Sequence, residues 1–299
     1  TLTAFLDPVR CTNTLDDPDS AFALSRIPRG VRWCQCCAIF IPDGLTEEEA
    51  WRYYRFHRDR FFRQMERFSA CALPCRTAED VERAWAEGKT ALILTVENAS
   101  FLGGDLNRAE ELCRDGVRIA SLTWNGPNAL GSGNQTGEGL TPLGREAVGV
   151  LENCGILLDV SHLNDAGLRD VLDVARRPFL ATHSNARAVC PHPRNLTDEQ
   201  LRELIARGCL IGLNYYSPFL RSEGEAGFDD LLRHARHILD LGGEYSLGLG
   251  SDFDGADLPP CLNNCEKVPQ LGAVLADPLG SGAADRILWR NALDFFAKN

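Results

Sequence analysis

Two histidines stand at the ends of short β-like runs, and histidine is the side chain best suited to bind a metal or carry a proton near neutral pH. The sequence reads ILLDVSH to His162, then LNDAGLRDVLDVARR, then PFLATHS through His183. Either histidine alone reads equally well as a packed or solvated strand-end residue, but only six occur in the chain and two fall at equivalent places of successive units. Two carboxylates occupy comparable positions: Glu97 directly follows the apolar run ALILTV, and Asp252 lies in GSDFDG after another apolar run. Two neutral imidazoles and a carboxylate form the ligand set of a catalytic zinc that keeps one position open for water. A further carboxylate beside that water can take its proton and pass it to a leaving amine. The plainer alternatives are that Glu97 caps a loop and that Asp252 and Asp254 are turn residues. The SDFDG run lacks the Glu that a calcium loop needs at its twelfth position.

Such residues do chemistry together only if the chain brings them to one edge. Ile156–Val160 and 179–182 are apolar and partly β-branched, and Leu168, Val171, Leu172 and Val174 recur between them at helical spacing, which predicts a βαβ unit. Further strands are expected at 2–6, 36–41, 91–96, 117–123, 209–213 and 245–249. Helix starts are marked by Thr46 with Glu49, Thr77 with Asp80, Thr141 with Pro142, and Thr197 with Gln200. The helix after Thr46 is expected to keep Ala50, Tyr54, Phe61, Met65 and Phe68 on one buried face and to leave His57 solvated; His234 and His237 are expected on the outer face of a helix at 228–241. The Gly-rich stretch 131–139 lacks phosphate-loop spacing and reads as a mobile loop. Eight strands alternating with helices and no break in composition predict an α/β fold, a closed (β/α)₈ TIM barrel forming a single domain over residues 1–299. In such a barrel Glu97, His162, His183 and Asp252 open onto one mouth.

The bulk properties bound the partners. A formal net charge of −11 argues against nucleic acid and against an anionic membrane surface, leaving small molecules as the expected ligands. No apolar run approaches the roughly 18 residues of a membrane span, and TLTAFLDPVR lacks a signal-peptide pattern, so a cytoplasmic protein is expected. Twelve cysteines at irregular spacing show no paired C-x-x-C pattern, and free thiols are expected of them.

The runs DVSHLNDAGLRDVL, RPFLATHSNARAVCPHPRNLTDEQLRELIARGCLIGLNYY and GLGSDFDG closely resemble the membrane (renal) dipeptidase family of zinc metallopeptidases, and the resemblance extends from about Cys36 to the end. It implies a TIM barrel with a two-zinc site that hydrolyses dipeptides, often with a D-residue second, and it suggests a homodimer. By that resemblance Glu97 takes the place of the bridging glutamate, His162 and His183 those of the histidines on the second zinc, and Asp252 that of the acid/base aspartate. Arg194 matches the arginine that grips the substrate's terminal carboxylate, a task suited to a guanidinium fork; Trp124 and Tyr216 fall among the residues expected at the substrate. Two departures follow. The family's first strand ends in H-x-D, whereas here the stretch Phe5–Asn13 has no histidine, Val9 and Cys11 fall on the ligand places, and Asp7 and Cys11 are the remaining candidates. Trp124 also replaces the family's carbonyl-polarising histidine, a donor of a kind commonly worth about 3–4 kcal/mol. The expected function is therefore a zinc dipeptidase with one metal, two remaining open; the alternative is a divergent member that has lost the two-zinc centre and binds a peptide-like ligand or performs another reaction.

Overall fold

The computed structural model describes residues 14–299. The expected strand at 2–6 and the candidate ligands Asp7 and Cys11 lie outside the described residues. The chain divides into two compact units, one built chiefly from 29–179 and the other from 18–28 together with 180–298. No helix among the described residues is long and apolar enough to cross a membrane.

The first unit is a parallel sheet with helices following its strands. β1 (Cys34–Phe40), β3 (Thr90–Glu97), β4 (Ile119–Ser121) and β5 (Leu157–Asp159) pair side by side, and β2 (Ala72–Pro74), which sequence reading did not anticipate, pairs with the start of β3. Leu92, Ile93, Leu94 and Val96 of β3 are all buried, the unbroken apolar run of a parallel strand covered on both faces. The helices begin where their caps predict. Thr46 closes a capping box on α1 (Glu47–Arg67), Thr77 does so on α2 (Ala78–Ala86), and Thr141 caps α4 (Pro142–Asn153) with proline in the first turn. Each cap satisfies helix N–H groups that would otherwise lack partners, worth about 1 kcal/mol. α3 (Arg108–Asp115) precedes β4, and α5 (Asp165–Val174) follows β5, buries Leu168 and Val171, and is capped by Asn164.

α1 departs from expectation chiefly at one residue. Ala50, Tyr54, Phe61 and Met65 are buried as predicted and Phe68, at the helix C-cap, is only partly buried, but His57 is buried too, 3% exposed and packed against Tyr53 and Phe56 at ring separations of 4.4 and 5.2 Å. A helix this rich in aromatics buries a wider stripe than the aliphatic spacing outlines.

The second unit pairs β6 (Leu180–Ala181), β7 (Leu210–Asn214) and β8 (Leu247–Gly250), again in parallel. α6 (Asp198–Ala206), with a complete capping box at Thr197, leads into β7; α7 (Ser217–Leu220) and α8 (Phe228–Asp240) lie between β7 and β8. The expected strand at 245–249 starts later, at Leu247, because Gly243–Tyr245 form a 3₁₀ turn. Two glycines permit a close approach beside His183: a Cβ at Gly212 or Gly250 would lie 2.0 or 2.1 Å from the Thr182 carbonyl oxygen. Asp254 accepts from the backbone N–H groups of Ala21 (2.7 Å) and Phe22 (3.2 Å), which fastens segment 18–28 to this unit. His234, expected outside, is fully buried on α8, whereas His237 is partly exposed and pairs with Asp198 at 2.7 Å.

Candidate metal centre and substrate site

In the first unit Glu97 ends β3 in register with Phe40 of β1. The next residue fixes its direction. Asn98 takes φ = +68°, a left-handed conformation that asparagine tolerates better than other non-glycine residues, and it is 1% exposed. Its backbone N–H donates to Ser121 Oγ (2.8 Å), its amide nitrogen to Ile41 O (2.9 Å) and Asp43 Oδ1 (3.1 Å), and its amide oxygen accepts from Asn128 Nδ2 (3.0 Å). A buried amide with its polar groups engaged is a rigid fixture, and strain held in this way gathers at functional sites.

His162 is positioned from the opposite side. After β5, Ser161 folds back so that its backbone N–H and hydroxyl both donate to Asp159 Oδ1, at 3.0 and 2.6 Å, which turns the chain at His162. His162 Nε2 lies 3.0 Å from Glu97 Oε1, with both side chains largely buried. Its Nδ1 faces Asn125 Oδ1 at 3.2 Å, and that oxygen also accepts from Asn134 Nδ2 at 2.8 Å. An amide oxygen can only accept, so Nδ1 carries the proton, and in the neutral ring Nε2 is left as a lone pair aimed at a carboxylate. Two acceptors 3.0 Å apart repel unless a cation lies between them, either a second ring proton or a metal ion. An imidazole nitrogen and a carboxylate oxygen are ordinary zinc donors, so the pair fits that ion. Trp124 stands beside them, edge-on to Phe40 at 4.9 Å and 6.4 Å from the His162 ring.

The glycine-rich loop after Trp124 is tethered by backbone and side-chain hydrogen bonds. Gly133 donates to Gly126 O and pairs with Leu163, and Asn164 Nδ2 bonds to the carbonyls of Gly133, Thr136 and Glu138 at 3.3, 2.8 and 2.7 Å. A Cβ at Gly133 would sit 2.0 Å from Trp124 O, so glycine here lets the loop lie against the Trp124 backbone.

The second unit places the remaining candidates. His183 follows β6, and its Nδ1 meets Thr182 Oγ1 at 2.7 Å, an interaction that orients the ring. Asp252 follows β8 at φ = +58°, and Asn214, at the end of β7, donates from Nδ2 to Asp252 Oδ2 at 3.2 Å. Arg194 is 5% exposed, with its guanidinium 5.3 Å over the ring of Phe219. That ring is a shared plate: His192 packs on it at 4.5 Å and Tyr216 meets it edge-on at 5.0 Å. Burial, with Arg194 and Arg187 nearby, holds the His192 imidazole below its ordinary pKa. Its Nδ1 accepts the backbone N–H of Arg194 at 3.1 Å.

The geometry thus brings Glu97, His162 and Trp124 together in one unit and joins Arg194 to Tyr216 through Phe219 in the other. Sequence reading missed Asn98, Asn125 and Phe219. Asn98 carried the faint signal of an asparagine directly after a strand-end glutamate; the others carried none.

Comparison with known proteins converges on one family. The family model for membrane dipeptidase, peptidase family M19, matches residues 2–298. The chain superposes with a TM-score of 0.88 on the crystal structure of dipeptidase AC, an M19 metallopeptidase, at 30% identity, covering 93% of this chain and 89% of that one. It superposes with a TM-score of 0.89 on a metallopeptidase from Rhodobacter sphaeroides liganded with a phosphinate mimic of the dipeptide L-Ala-D-Ala, at 29% identity over 94% of this chain and 90% of that one. An uncharacterised Klebsiella pneumoniae protein encoded in the pqqA 5′ region is 35% identical over 73% of this chain and 86% of its own length. The chain belongs to the membrane dipeptidase family, peptidase family M19, and is a metal-dependent dipeptide hydrolase.

Proposed function

We propose that this metallodipeptidase binds one zinc ion through Glu97, His162 and His183, and that residues 1–299 form a single (β/α)₈ barrel domain whose strand ends carry the site. The reading rests above all on the 3.0 Å approach of His162 Nε2 to Glu97 Oε1 with Nδ1 already committed to Asn125, an arrangement suited to a shared cation. Bound zinc supplies a water of pKa lowered to about 7 and a Lewis acid for the scissile carbonyl.

The chain's own residues do the rest. Asp252, held through Oδ2 by Asn214, accepts the proton of the attacking water and returns it to the leaving amine as the peptide bond breaks. Arg194 receives the dipeptide's terminal carboxylate through its two-pronged guanidinium, kept in place by the Phe219 plate. Trp124 and Tyr216 border the substrate, and the bulk of Trp124 closes off solvent beside His162. A neighbour of 29% identity that holds a mimic of L-Ala-D-Ala supports dipeptides with a second D-residue as substrates here.

Elemental analysis of protein as purified, and after zinc addition and desalting, tests the reading. About one zinc per chain is expected, lost in His183→Ala and in His162→Ala. Unchanged metal content in those variants would sink the ligand assignment.

A further inference from the structure

His234 is a fully buried titratable group that the proposed chemistry leaves unused. It lies on α8 at 0% exposure, 40 residues from Arg194 in sequence. Both ring nitrogens are spoken for by backbone: Nδ1 accepts the N–H of Ala186 at 3.1 Å, and Nε2 lies 3.1 Å from the carbonyl oxygen of Leu220. The first contact requires a bare Nδ1 and the second a protonated Nε2, so the ring works as one neutral tautomer. Burial agrees with this, pushing its pKa down to about 4.

The two partners lead to the two sides of Arg194. Ala186 begins the loop that carries the arginine, and the loop closes on itself where Ala186 pairs with Leu196, Leu196 N donates to Asn185 O, and Arg187 N donates to Leu196 O. Leu220 ends α7, whose Phe219 ring lies under the guanidinium and whose Phe219 carbonyl accepts from Asn195 Nδ2 at 2.8 Å. We infer that His234 is a positioning residue for Arg194, a neutral imidazole that pins the arginine's loop and the aromatic plate beneath it to one helix, and so sets the enzyme's affinity for the substrate's terminal carboxylate. The inference rests on the proposed carboxylate-binding role of Arg194.

A paired-probe experiment on zinc-loaded enzyme tests it. The probes are a phosphinate dipeptide mimic with a free terminal carboxylate and its carboxamide analogue, with binding measured by calorimetry and kcat and KM measured on the corresponding dipeptide. His234→Leu keeps the volume but gives Ala186 and Leu220 nothing to bond. It should weaken the free-acid probe about tenfold, the scale of a misaligned charged hydrogen bond. The carboxamide should bind as in wild type, and KM should rise with kcat within about twofold. His234→Gln, which keeps one donor and one acceptor, should recover most of the loss. If His234→Leu does not fold, His234→Asn, whose shorter side chain reaches one partner only, should show the same selective loss at smaller amplitude. Equal weakening of both probes, or weakening of neither in a folded variant, overturns the inference. Arg194→Gln run alongside separates the two layers. If it spares the free-acid probe, the role of Arg194 fails and His234's with it; if it weakens that probe while the His234 variants do not, only the His234 inference fails.

Discussion

Asn98 offers the sharpest test of how the structure fixes Glu97. Replacing it with alanine removes three side-chain hydrogen bonds, to Ile41 O, to Asp43 Oδ1 and from Asn128 Nδ2, and keeps the backbone bond to Ser121. At about 1 kcal/mol for each neutral bond and about 2 for the one to a carboxylate, the loss is about 4 kcal/mol. Alanine at φ = +68° adds about 1 kcal/mol of backbone strain. Glycine loses the same hydrogen bonds without that strain, although its freer unfolded chain returns part of the gain. Asn98→Gly should therefore be up to about 0.6 kcal/mol more stable than Asn98→Ala, the reverse of the usual order, with both well below wild type. Urea denaturation of metal-free protein measures the three stabilities, and zinc titration of the folded variants should show weaker binding as Glu97 is released. Asn98→Ala within 1 kcal/mol of wild type, or more stable than Asn98→Gly, would refute the reasoning.

Other consequences are as direct. Arg194→Lys keeps the charge but loses the fork, so KM for free dipeptides should rise about tenfold or more with kcat little changed; equal KM in the two enzymes counts against the carboxylate role. Asn125→Leu removes the acceptor that fixes the His162 tautomer and should weaken zinc binding about 10–100-fold, read by competition with a chelator. Asp230 has its carboxyl raised by burial, but the Gly227 N–H together with Arg233 and Arg221 outweighs that and holds it below the ordinary range. Its contribution to stability is then present above the unfolded carboxylate pKa and lost as pH falls through the lower folded one. Asp230→Asn should destabilise at pH 7, with the gap to wild type closing below about pH 4 in denaturation curves.

Much of this arrangement is written locally, and some of it is not. Thr46, Thr77, Thr141 and Thr197 announce their helices because a cap is a contact between residues three apart, visible in sequence. β3 and β7 are legible because a parallel strand buried on both faces must be apolar throughout. β2 escapes because three residues carry no periodicity, and its strand character comes from pairing with β3. His57 and His234 are misplaced by pattern reasoning for a common cause: a polar ring looks like surface until its partners are known, and those of His234 are backbone groups 48 and 14 residues away. The ligand-type residues were nameable because Glu, His and Asp advertise their chemistry. Asn98, Asn125 and Phe219, which aim or support them, act through a dihedral angle, an amide oxygen and a ring face that no spacing encodes.

The most direct test of the central claim is zinc-dependent turnover. Metal-stripped protein would be reconstituted with one equivalent of zinc and assayed on L,L and L,D dipeptides, each beside its carboxamide. Hydrolysis that returns with zinc, prefers the free carboxylate and is abolished in His162→Ala is the result predicted here. Reconstituted, folded protein that cleaves no dipeptide, or that cleaves equally well without zinc, would contradict it.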